Sequence, residues 1–189
     1  ANMAFDAFYM AAVLAEVKEL CTDARIEKIH QPMRDTVVLH LKSAQGRFKL
    51  QFVASPTAPR LHLTTASPEN PPEPPMFCML MRKHIEGGFI QSIEQNEFER
   101  IITFTIESTN EIGDKVTRKL IIEIMGRHSN CILTDAANDQ IIDSLKHLSP
   151  SINSYRTVLP GNRYIAPPSQ HKKDPLTLQN EDIKHLTQE

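Results

Sequence analysis

The sequence predicts an α+β domain, mainly an antiparallel β-sandwich carrying two helices. Three observations carry that prediction. Nine short runs rich in β-branched and aromatic residues recur along the chain, several alternating apolar with polar side chains. The connections between neighbouring runs are short, as antiparallel hairpins require. Only two segments before residue 168 keep a helical period, so strands dominate the domain.

Each element has its own local reason. Residues 7–21 set Met10, Val13, Leu14, Val17 and Cys21 on one face of a helix. Asp6 suits the N-cap, and Phe5 is placed to staple onto Met10. Strand-like runs follow at RIEKIHQ (25–31), TVVLHLK (36–42), RFKLQFV (47–53) and RLHLT (60–64). In the third, Phe48, Leu50 and Phe52 face one way while Arg47, Lys49 and Gln51 face the other.

The segment SPENPPEPP (67–75) holds five of the 13 prolines. Fixed φ and missing amide donors exclude helix and inner strand, so it reads as a stiff crossover, with a polyproline recognition peptide as the other reading. A helix over 75–86 follows, MFCMLM and then Arg82, Lys83 and His84, with Gly87 as its cap. The basic triplet falls in the last turn, where cations complement the helix dipole.

Strand runs return at 89–95, 100–107, 118–125, 131–135 and 140–145. RIITFTIE and RKLIIEIM are nearly continuous in β-branched residues, which predicts inner strands buried on both faces. Residues 149–168 read as an extended tail and 170–175 as a linker. LTLQNEDIKHLTQE begins a further helix, so the chain is expected to stop at the edge of another domain.

A chain of 189 residues is long enough for one domain with a real core. Its formal net charge is −2 and its pI about 6.5, so no global field draws it to polyanions and any such site must be local. No stretch approaches the roughly 18 apolar residues of a membrane span. Cys21, Cys78 and Cys131 are far apart and odd in number, which suggests neither a disulfide framework nor a zinc site. Ala1 and Asn2 before Met3 read as the scar of a cleaved tag. AFDAFYMAAVL has Asp6 in front and no basic residue, the opposite of a secretory signal. A cytoplasmic protein without a membrane partner is expected.

Catalytic patterns are missing. Neither GxxxxGK[ST] nor GxGxxG is present, nor GxSxG, nor HExxH. Cys131 lies three residues from His128, but proximity across a turn is weak grounds for a nucleophile. The expectation is a protein that is not an enzyme and takes neither cofactor nor metal. What remains is cationic: Arg82, Lys83, His84, Arg100, Arg127, His128, Lys146, His147 and Arg156 all sit in loops or at element ends. Singly they read as solvated ends; together they allow a local phosphate-binding surface.

Six stretches now combine: FDAFYMAAVLAEV (5–17), RIEKIHQP (25–32), PRLHLT (59–64), ENPPEPPMFCMLMRKHIEGG (69–88), EIMGRHSN (123–130) and IIDSLKHLSPSINSYRTVLPG (141–161). Together they resemble the N-terminal domain of the NFACT family in its bacterial RqcH form, called fibronectin- or fibrinogen-binding protein A-like in older naming. The resemblance runs from about residue 3 to 168, which makes 3–168 the expected domain and 169–189 a linker with the start of a helical one. It implies a fold like the N-terminal domain of the formamidopyrimidine-DNA glycosylases. Those enzymes use an N-terminal proline amine; Ala4 follows Met3 here, so glycosylase chemistry should be absent.

The function implied is ribosome quality control. Family members bind large ribosomal subunits blocked by peptidyl-tRNA, touch ribosomal RNA, and position alanyl-tRNA for template-free alanine tailing, with a small RNA-binding co-factor as a further partner. The ribosome performs peptidyl transfer, in keeping with the missing catalytic residues. A cell-surface adhesin, as the older name suggests, is the alternative.

By the same resemblance, the family's N-terminal aspartate falls on Asp6, which a plain N-cap explains equally well. Its Asp-Arg pair, tied to tRNA handling, falls on Glu99-Arg100. The extra methylene of Glu99 moves its carboxylate oxygens by about 1.5 Å. Arg100 is the stronger candidate, since a guanidinium grips phosphate in a bidentate way or stacks on a base. In EIMGRHSN, Glu123, Ile124 and Met125 end an inner strand and are further expected RNA or partner contacts, and Gly126 frees the backbone to turn. Arg127, His128, Ser129 and Asn130 would then form a polar surface towards tRNA or a partner. The other reading has Arg127 and Asn130 bracing the turn. Lys146, His147 and Arg156 are expected as neighbours, and Arg82, Lys83 and His84 as further RNA or partner contacts.

Overall fold

Residues 3–96 and 100–168 are described by the computed structural model, with side chains from residue 10 onward. Helix α1 (Met3–Cys21) leads into strands β1 (Arg25–Met33), β2 (Thr36–Ser43), β3 (Gly46–Val53) and β4 (Arg60–Thr64). After the proline-rich crossover come α2 (Met76–Ile85), β5 (Phe89–Gln95), β6 (Ile101–Thr109), β7 (Lys115–Glu123), β8 (Asn130–Asp135) and β9 (Ile141–Ser144). All strand pairs are antiparallel, in the order β4-β3-β2-β1-β5-β6-β7-β8-β9.

The two expected layers are halves of this one sheet. They join where Arg25 of β1 stands opposite Phe89 of β5, reinforced by Ile26 N–H to the Gly88 carbonyl (2.8 Å) and Gly87 N–H to the Ile26 carbonyl (2.7 Å). A single buried cluster draws Leu39, Leu41 and Phe52 from one half and Phe104, Ile122 and Leu133 from the other. Both halves therefore close over a shared core. One register pair joins the halves, and α2 packs into the shared core through Phe77, Cys78, Met81 and Ile85. Its Cys78 Sγ (3.7 Å) and Arg82 Nε (2.8 Å) donate to the Ile29 carbonyl.

The apolar stripe predicted for α1 meets this core through Leu14, Val17 and Cys21, with Met10 and Val13 packed at its rim. The helix begins four residues earlier than 7–21 predicts. Asp6 is consequently inside the first turn and is not the N-cap. MAFDAFYM contains neither Gly nor Pro, and nothing in it halts helix propagation. An acid in the first turn still complements the dipole.

Burial on both faces holds for β6 only at Ile101 and Ile102, since Thr103, Thr105 and Glu107 are half-buried, and for β7 only from Leu120 onward. The second face is covered where a smaller cluster of Ile101, Ile121, Ile132, Ile141 and Val158 forms beneath Leu148 and Tyr164. The tail after β9 thus packs on the back of β6–β8 at one end of the strands. No helix among the described residues is long and apolar enough to cross a membrane.

Candidate functional site

The end of β7 carries EIMGRHSN, and the backbone there explains why four polar residues follow an apolar strand. Gly126 takes φ of +54°, a left-handed conformation that costs a residue with a Cβ. It opens a single 3₁₀ turn over Gly126–His128. Ser129 Oγ accepts from Met125 N–H (2.9 Å) and donates to the Gly126 carbonyl (2.7 Å), closing that turn on itself. Asn130 ties it to the next segment: Oδ1 accepts from Cys131 N–H and Lys146 N–H (both 2.9 Å), and Nδ2 donates to the Lys146 carbonyl (3.0 Å).

The expected four-residue polar surface is therefore corrected to two. Ser129 and Asn130 are buried, 0% and 2% exposed, because their side chains satisfy backbone groups that the turn leaves unpaired. Arg127 and His128 are exposed, with Arg127 Nε donating to His128 Nε2 at 3.3 Å. The bracing reading holds for Asn130 and not for the Arg127 side chain.

Glu123, Ile124 and Arg156 are corrected in the same sense: Ile124 lies in the main core, 1% exposed. Glu123 is fully buried, and Arg156 grips it in a bidentate way: Nη2 to Oε1 at 2.7 Å and Nη1 to Oε2 at 2.8 Å. Tyr164 adds its hydroxyl to Oε2 at 2.7 Å, and Arg156 Nη1 also reaches the Ile165 carbonyl at 2.9 Å. These atoms face the protein, not a ligand. Burial, and then the Glu123 charge, push the Tyr164 phenol far above its ordinary range, so it stays a hydrogen-bond donor. Tyr164 was absent from the sequence-based candidates; a lone tyrosine in a coil gives no periodic signal.

Exposed Arg100 lies beside the turn, since its carbonyl accepts from Ile124 N–H at 2.8 Å. Lys146 stitches the turn to the other half of the sheet, its Nζ donating to the carbonyls of Ala54 (3.0 Å) and Arg127 (3.4 Å). Partial burial pulls the Lys146 ammonium below its ordinary pKa, opposed by the charge of Asp35. His147 pairs with Asp143 (2.8 Å). Glu99 lies outside the described residues, as does the side chain of Asp6.

The α2 cations are elsewhere. Lys83 pairs with Glu111 (3.3 Å), and the His84 carbonyl accepts from Ser108 Oγ (2.6 Å), so both sit at the far end of β6. Arg100 precedes the near end of β6, roughly 25 Å away at the usual rise per strand residue. Arg82 turns to β1, where Nη2 meets His30 Nδ1 at 3.2 Å. The nine cations singled out in sequence do not form one site. Arg100, Arg127, His128 and Lys146 gather at one corner, with Glu123 and Arg156 as its buried support.

This corner can hold a phosphate or a base edge by charge and hydrogen bonding. The thiol nearest to it, Cys131, is fully buried, and burial followed by the charge of Glu123 pushes its pKa far up, away from thiolate.

Comparison with known proteins finds relatives both by sequence and by structure. The profile of the NFACT N-terminal and middle domains matches residues 6–189. The chain is 54% identical over 186 residues to the "Rqc2 homolog RqcH" of Bacillus subtilis strain 168, and 41% identical to that of Streptococcus pneumoniae strain D39. It covers 98% of itself in both cases but 33% and 34% of those proteins, so it spans about a third of their length. Among solved structures, the N-terminal domain of fibronectin-binding protein PavA from Streptococcus pneumoniae aligns with a TM-score of 0.84 at 41% identity. That alignment covers 96% of this chain and 68% of the other. The N-terminal part of the fibronectin/fibrinogen-binding protein of Streptococcus suis aligns equally well (TM-score 0.84, 38% identity, 95% and 67% covered). With its profile matched along nearly all of its length, the chain belongs to the NFACT family.

Proposed function

We propose that this protein acts in ribosome quality control as an RNA-binding factor, as the name of its 54%-identical relative suggests. On this reading it binds large ribosomal subunits blocked by peptidyl-tRNA and positions alanyl-tRNA for alanine tailing of the stalled chain. It contributes binding and orientation, and the covalent step belongs to the ribosome. One observation carries the placement of the RNA contact. The hydrogen bond from Ile124 N–H to the Arg100 carbonyl sets the exposed residue Arg100 next to the strand end that leads into the exposed Arg127–His128 turn. Arg100 and Arg127 supply phosphate grips, and the braced Ser129 and Asn130 hold the turn that presents Arg127.

The test is binding of an alanine-tRNA transcript across a salt series, wild type beside Arg100→Ala. Wild type is expected to bind, more weakly as salt rises. Arg100→Ala is expected to lose about 1.5–3 kcal/mol, as for a charged hydrogen bond. Equal binding by the two proteins would remove Arg100 from the site.

The names of the solved relatives favour a second reading, adhesion to fibronectin or fibrinogen. Immobilised fibronectin decides it: saturable binding that survives Arg100→Ala, with no tRNA binding, would put adhesion first.

A further inference from the structure

Charge is distributed very unevenly along this chain. Residues 25–64, which form β1–β4, hold seven Lys and Arg against Glu27 and Asp35, a formal +5. The remainder therefore carries −7 in a protein whose total is −2. The strand register then sorts this charge by face. Ile26, Ile29, Leu39, Leu41, Leu50 and Phe52 point into the core. The alternate positions form cross-strand rows on the opposite face: Arg25–Lys42–Arg47, then Lys28–His40–Lys49, then His30–Val38–Gln51–His62. Arg60 continues the same face on β4, opposite Val53.

The acids barely offset it. Glu27 is engaged by Arg47 at 3.0 Å, with Lys42 and Arg25 close enough to lower its pKa further after the Arg47 hydrogen bond. Arg25, Lys28, Lys42, Arg47 and Arg60 are exposed. Between the cations lie imidazoles: His30 and His40 meet edge to face with centroids 5.0 Å apart.

We propose that this outer face of β1–β4 is a second RNA-binding surface, distinct from the Arg100–Arg127 corner. Rows of cations suit a phosphodiester backbone. Imidazoles and the Gln51 amide between them suit bases and ribose hydroxyls, by stacking and hydrogen bonding. An acidic polypeptide would use the cations but has no use for imidazole planes. A four-stranded sheet is also wide enough for several nucleotides, at about 4.8 Å between strands. The surface explains how a protein of pI 6.5 holds a polyanion: the binding charge is concentrated on one half-sheet.

The proposal rests on RNA being the partner, as in the proposed function, and its test separates the two. An alanine-tRNA transcript is titrated against wild type, against Lys28→Glu with Lys42→Glu, and against Arg100→Ala, each from about 50 to 300 mM salt. Both lysines are exposed, so the reversed pair should keep the wild-type urea midpoint. Lys28→Gln with Lys42→Gln serves if it does not. The reversal is expected to weaken binding about tenfold or more and to flatten the log–log salt slope by roughly 1.4–1.8, as for two lost phosphate contacts. Lys28→Arg with Lys42→Arg should restore both.

Unchanged affinity in the Lys28/Lys42 variants, with Arg100→Ala weakened, overturns this surface and leaves the proposed function standing. Loss in the Lys28/Lys42 variants alone supports the surface and relocates the grip away from Arg100. No binding by wild type overturns both. Equal competition by polyglutamate at matched charge overturns the assignment to RNA.

Discussion

At the residue scale, the buried Glu123–Arg156–Tyr164 group separates appearance in sequence from role in structure. Glu123 ends a strand beside a turn of exposed polar residues, yet its carboxylate takes two bonds from Arg156 and one from Tyr164 in the interior. Such a pair gains little over a well-packed apolar replacement, but breaking it leaves a buried charge alone. Arg156→Ala is expected to cost about 3–5 kcal/mol in urea unfolding. Replacing both charges, Glu123→Gln with Arg156→Met, should cost less than Arg156→Ala alone. A double-mutant cycle in which the two costs simply add would show that the pair is not coupled. The pairing of Glu123 with Arg156 could not be read from sequence, because 33 positions separate them and nothing periodic links them.

At the element scale, the joint between α2 and β5 decides how the two half-sheets meet. Gly87 has φ of +86° just after α2. Gly88 then passes between strands so closely that a Cβ there would lie 2.8 Å from the Glu107 carbonyl oxygen and 3.0 Å from Ile106 Cγ2. The neighbouring backbone belongs to β6 and cannot yield cheaply. Gly88→Ala is expected to destabilise by about 1–3 kcal/mol, read as a lower urea midpoint. An unchanged midpoint would mean that the joint is looser than its contacts indicate. The sequence marked this pair only as the end of a helix. The close approach of β6 depends on pairing that no local pattern encodes.

At the scale of the whole molecule, burial and charge together set the response to pH. His30, His40 and His84 all have lowered pKa values. Burial is the leading cause in each, followed by Arg82 for His30, by His30 and Lys49 for His40, and by Arg118 and Lys83 for His84. Glu86, Glu27, Glu111 and Asp135 oppose the shift without reversing it. The folded state thus resists protonation that the unfolded chain accepts near pH 6.5. Stability from these groups is complete above about pH 6.5 and falls as pH drops through their lower folded values. The urea midpoint is expected to decline between pH 7.5 and 5.5, and His30→Gln with His40→Gln should flatten the decline. A variant that declines as steeply as wild type would assign the effect to carboxylates. Among the described residues, the sequence by itself determined two helices and nine strands, most within three residues of their predicted bounds because period and turn chemistry are local. The start of α1 is the exception, and the further helix expected after residue 175 lies outside the described residues. The sequence motifs also pointed to the family. Tertiary structure alone decided which cations share a surface. It sent Lys83 and His84 to the far end of β6, buried Arg156, brought Lys146 to Arg127, and aligned the β1–β4 cations into rows. The physical reason is that pairing between distant strands sets these neighbours, and a side chain's spacing along the chain does not carry that information.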